Sequence, residues 1–136
     1  MRRTRQVVLA YTAGGPDVVS QLRKLFRSDW TATLLAVDGH RTEDVNSQLA
    51  RLPRGATHLV LSVGGNDALS HGDLLTRPAR SAAEVLTLLA NAAGDFEEQY
   101  RRLIARLLQT GLPLTVCTIY NGNFPDRDFS ALPRQR

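Results

Sequence analysis

Residues 57–63, Thr57-His58-Leu59-Val60-Leu61-Ser62-Val63, read as a strand buried inside a sheet. They run without a break into Gly64-Gly65-Asn66-Asp67. The run is rich in β-branched residues and nearly all apolar, the pattern of a strand covered on both faces, whereas a one-sided strand would alternate apolar and polar. A strand of that kind needs other strands beside it and helices above and below it.

The rest of the chain supplies candidates for both. Gln6-Val7-Val8-Leu9-Ala10 reads as a first strand, broken by Gly14-Gly15-Pro16. Val18, Val19, Leu22, Leu25 and Phe26 then recur at helical spacing, which predicts a helix over about 16–27. Thr31-Ala32-Thr33-Leu34-Leu35-Ala36-Val37 predicts a second strand, ended by Asp38-Gly39. Thr42 is the expected N-cap of the next helix, with Glu43 and Asp44 in its first turn and Pro53 as its stop. Ser81 with Glu84 forms a capping box that opens a long helical tract to about Thr110. Its apolar face is Val85, Leu88, Leu89, Phe96, Tyr100, Leu103, Ile104 and Leu107; Gly94 is a candidate bend and Gly111 its end. Leu114-Thr115-Val116-Cys117-Thr118-Ile119 predicts a fourth strand. Four strands alternating with three helices imply βαβ units, a parallel sheet and right-handed crossovers.

Composition narrows the class. At 136 residues the chain is one domain. The single cysteine, Cys117, excludes an internal disulfide and a multi-cysteine zinc site. A mean hydropathy of −0.20 and the lack of any apolar run of about 18 residues exclude a membrane span. Behind the basic start, Val7 to Tyr11 is too short for the core of a signal peptide, so a cytoplasmic domain is expected. Lys24 is the only lysine, and the arginines are scattered along the chain with no interleaved aromatics. That distribution argues against a nucleic-acid partner despite a pI near 10.0.

In open parallel sheets ligands bind outside the carboxyl ends of the strands. The segments leaving those ends are Tyr11–Gly15, Asp38–Arg41, Gly64–Ser70 and Tyr120–Phe124. Gly64 and Gly65 allow a sharp turn close to a ligand, and Asn66 carries an amide that can be aimed at an anionic oxygen, as an oxyanion hole requires. An ordinary strand-to-loop turn uses the same residue types. Gly39 offers a backbone N–H of the same use, again with a plain turn as the alternative. Asn121 and Asn123 are further candidate binding residues on the fourth loop. His40 and His71 are candidate bases on loops, and His58 lies within a strand. Their scatter makes a poor metal site, and no cofactor is implied. No Gly-x-Gly-x-x-Gly or P-loop pattern follows the first strand, which weighs against a nucleotide-binding domain.

The run from Thr57 through Asp67 to Leu69 resembles the third sequence block of the SGNH (GDSL-type) hydrolases. Leu34-Leu35-Ala36-Val37-Asp38-Gly39 resembles their second block. Thr118-Ile119-Tyr120-Asn121-Gly122-Asn123-Phe124-Pro125 resembles the segment after their fourth strand, and Gly14 to Arg23 the start of their first helix. The resemblance implies a flavodoxin-like three-layer α/β/α fold with a parallel sheet, four strands being present here and a fifth strand and closing helix missing. It implies hydrolysis of carboxylic esters, with Gly39 and Asn66 as oxyanion donors and Gly64, Gly65 and Asp67 shaping the loop. It also implies a Gly-Asp-Ser nucleophile and an Asp-x-x-His pair, and neither motif is present. Either Tyr11-Thr12-Ala13 replaces the nucleophile motif or the motif is deleted; the helix start that follows favours deletion. The expectation is therefore a C-terminally incomplete, catalytically inactive hydrolase domain taking a small ester or acyl ligand. A non-catalytic binding module that keeps the same loops is the alternative. An uncovered fourth strand would make it marginally stable or pair it with a second copy.

Overall fold

The computed structural model describes residues 17–119. The expected first strand at 6–10, the Tyr11–Gly15 loop and the Tyr120–Phe124 loop with Asn121 and Asn123 lie outside the described residues.

Helix α1, Val18–Leu25, starts where an acidic cap can hold it. The Ser20 N–H donates to Asp17 Oδ1 at 2.7 Å, and hydrogen bonds from Ser20 hold the Asp17 carboxyl below its usual pKa. The helix buries none of its residues completely. It is tied to the chain that follows by Arg23, whose guanidinium donates to the Ala32 carbonyl at 3.1 and 2.8 Å. Phe26 packs on Trp30 at 6.0 Å between ring centroids, and Trp30 on His58 at 5.0 Å.

A 3₁₀ turn, Thr42–Asp44, leads into the short helix α2, Val45–Leu49. The cap is Arg41, one residue earlier than expected: its N–H donates to the Asp44 carboxylate at 2.8 Å. Strand β1, Leu59–Leu61, is followed by helix α3, Gly65–Leu69, a second 3₁₀ turn, Gly72–Leu75, and helix α4, Ala82–Leu108. Strand β2, Leu114–Val116, closes the described chain.

Helix α4, at 27 residues, spans about 40 Å. Ser81 Oγ accepts from the Glu84 N–H at 3.2 Å, while the Glu84 carboxylate accepts from the Arg80 N–H at 2.9 Å. The helix runs through Gly94 without a break. Glu97–Arg101 and Glu98–Arg102 pair one turn apart in the favourable acid-first order. Past Leu108 the chain turns through Gln109 and Thr110 to Gly111, whose N–H donates to the Leu108 carbonyl at 3.1 Å and whose φ of +70° is one that a glycine adopts without strain.

The two strands pair in parallel, with Leu59, Val60 and Leu61 opposite Leu114, Thr115 and Val116. The Leu59 N–H to the Pro113 carbonyl and the Cys117 N–H to the Leu61 carbonyl, both 2.8 Å, extend the ladder at each end. Its core lies on one face. Leu103 and Leu107 of α4, one turn apart, close on Leu61 and on Val45 of α2, flanked by Leu49, Leu59, Val63, Tyr100, Ile104 and Leu114. Burial is concentrated in the C-terminal part of α4, while Leu86 nearer its start is 67% exposed. On the other face of the sheet Val60 is 64% exposed.

This architecture corrects the flavodoxin-like expectation. The described residues form a two-stranded sheet of three-residue strands, not four strands in a three-layer α/β/α sandwich. Residues 31–37, expected as the second strand, make no ladder. Two of their carbonyls are instead taken by arginine side chains, Ala32 by Arg23 and Leu35 by Arg51 at 3.3 Å. A carbonyl bonded by a side-chain donor needs no ladder partner.

Gly64 joins β1 to α3 at a φ of +119°, and it is buried. A Cβ there would lie 3.0 Å from Ile119 Cδ1 and 3.1 Å from Phe96 Cζ. Gly64→Ala therefore combines a strained backbone with overpacking and is expected to lower the unfolding free energy by about 2–4 kcal/mol. Gly55→Ala, where a Cβ meets nothing, should leave it unchanged or slightly raised. Urea unfolding of the two variants checks the contrast; equal effects would contradict it.

Candidate functional site

The site begins where β1 stops. Gly64 turns the chain so that Asn66 and Asp67, in the single turn and a half of α3, face the loop that precedes α2. Asp67 is 8% exposed and Thr42 2% exposed. A buried carboxylate is costly unless it is hydrogen-bonded, and here one residue meets both oxygens. The Thr42 hydroxyl donates to Asp67 Oδ1 at 2.7 Å, and the Thr42 N–H lies 3.2 and 3.1 Å from Oδ1 and Oδ2. Beside this clamp, Asn66 Nδ2 donates to the His40 carbonyl at 3.0 Å. The two segments 38–42 and 64–67 are thus bound directly to each other through side chains.

Among the residues expected to matter, Gly39 lies in this junction. It has a φ of +83° in a turn closed by the His40 N–H to the Val37 carbonyl at 3.2 Å, as a type II turn requires at its third position. Asn66 is half-buried, and one of its two amide hydrogens is committed to His40. Gly65 opens α3, with the position of a Cβ 4.0 Å from Ile119 Cγ2. Thr42, whose sequence position suggests a helix cap, gives both of its donors to Asp67 instead. No local pattern announces a partner 25 residues away.

The candidate bases stand apart. His40 Nδ1 is 3.1 Å from Gln48 Nε2, so the Gln48 amide donates to it. His58 lies against Trp30 and the Thr57 hydroxyl. His71 lines an open polar cleft of about 200 Å³ with Arg41, Asp67, Asp95 and Gln99; Arg41 is paired with Glu43 at 2.6 Å. Ser70 is next to His71 in sequence, but its hydroxyl donates to the Asp67 carbonyl at 2.6 Å. It is not in the hydrogen bond to an imidazole that would activate it as a nucleophile. No group of three or more metal-ligating side chains occurs among the described residues. Among these residues no helix is long and apolar enough to cross a membrane.

A second, apolar groove of about 370 Å³ opens at the carboxyl ends of β1 and β2, lined by Val63, Phe96, Tyr100, Val116, Cys117 and Ile119. Phe96 and Ile119 are the side chains packed against Gly64, so this groove backs onto the turn that holds Asn66. Burial raises the Tyr100 phenol above its usual pKa, and the nearby Cys117 adds to the shift. Neither a family model, nor a curated protein, nor a solved structure matches the chain.

Two outcomes follow. In a double-mutant cycle, Thr42→Ala and Asp67→Ala should each cost about 1.5–3 kcal/mol, as loss of a hydrogen bond to a buried charge does. Their coupling should exceed about 1 kcal/mol, and additive losses would show that the pair is not a unit. In an alkaline titration followed at 295 nm, the component lost in Tyr100→Phe should have its midpoint above 10. Because the folded-state pKa is raised, Tyr100 favours folding below its unfolded value, and that contribution disappears as pH rises through the folded one. A Tyr100 midpoint at or below 10 would contradict the burial described.

Proposed function

We propose that this chain is an SGNH-type ester-hydrolase domain that recognises a carboxylic ester or acyl group at its Gly39 and Asn66 loops without hydrolysing it. The observation that supports this reading is the direct joining of the two segments that resemble the family's second and third blocks. Asn66 is hydrogen-bonded to His40, next to Gly39, and Asp67 to Thr42. An oxyanion hole works only when its donors are held in place before the charge develops. A clamp between the two donor-bearing loops meets that condition. The Gly39 N–H and the second hydrogen of the Asn66 amide are the donors assigned to the ligand oxygen.

The non-hydrolytic part of the proposal rests on the nucleophile. The 136 residues contain no Gly-Asp-Ser, and Ser70, four residues after Asn66, is spent on the Asp67 carbonyl. Polarising a carbonyl without a nucleophile and a base leaves binding rather than turnover.

With p-nitrophenyl acetate and butyrate, the expected rate equals that of the Asn66→Ala variant. Butyrate should shift the Asn66 side-chain amide resonances in a saturable way. Ester turnover that Asn66→Ala abolishes would overturn the non-hydrolytic part. Failure of butyrate and of both esters to perturb Asn66 would overturn the recognition itself.

A further inference from the structure

We draw no further inference here: the strongest candidate, the apolar groove at the carboxyl ends of β1 and β2 between Val63, Phe96, Tyr100 and Ile119, is an unpartnered apolar face, and nothing in the structure shows what covers it.

Discussion

A carboxylate out of water must find donors, and Asp67 finds them on a single residue. Its two oxygens take the hydroxyl and the N–H of Thr42, both side chains being almost fully buried. Such bonds to a charged acceptor are worth more than neutral ones, and losing them leaves the charge stranded. The consequence is topological. Segments 38–44 and 64–70 share no strand ladder in the described structure, so the polar contacts of Asp67 and Asn66 are what join them. Thr42 also opens the 3₁₀ turn that leads into α2, whose Val45 belongs to the buried core. The clamp therefore connects the loop bearing the candidate donors to the apolar packing beneath it.

That packing is thin but directional. Leu103 and Leu107 bring the C-terminal part of α4 down on one face of the β1–β2 pair, and Leu61 and Val45 complete the contact. The same helix places Phe96 against Gly64, about two turns before Leu103, so α4 supports the turn as well as the sheet. Gly64 answers two demands at once: a backbone angle that side chains resist and a space already filled by Phe96 and Ile119. The turn that aims Asn66 is set by these constraints rather than by hydrogen bonds of α3, which is too short to define a direction of its own.

Much of the local structure was legible in the sequence because its causes are local. The apolar run at 57–63 contains β1, the run at 114–119 contains β2, and Ser81 with Glu84 marks the start of α4. The helical spacing of Val19, Leu22 and Phe26 marks α1, and Asp17 caps it. What failed depended on distant partners. Residues 31–37 have a strand's composition, but whether they join a sheet depends on what their carbonyls meet, and here they meet Arg23 and Arg51. Thr42 has a cap's chemistry, but a buried carboxylate 25 residues on claims it. The four-strand sheet rested on the family resemblance and on alternation, and alternation says nothing of which runs pair. Within the site, the sequence pointed to Gly39 and to Gly64 through Asp67. It did not show that Asn66 would spend one amide hydrogen on His40, or that Asp67 would serve as the clamp.

The functional reading and the fold meet at one junction. If the clamp holds, the donors assigned to Gly39 and Asn66 share a fixed frame; if it does not, they are two independent loops. Native-state hydrogen exchange at the Thr42 amide measures this directly, because that N–H is held by the Asp67 carboxylate and by no helix ladder. The account predicts strong protection of Thr42 in the wild-type chain, lost in Asp67→Ala while the amides of Leu103 and Leu107 stay protected. Exchange of Thr42 at the rate of an unstructured peptide in the folded wild-type chain would contradict it.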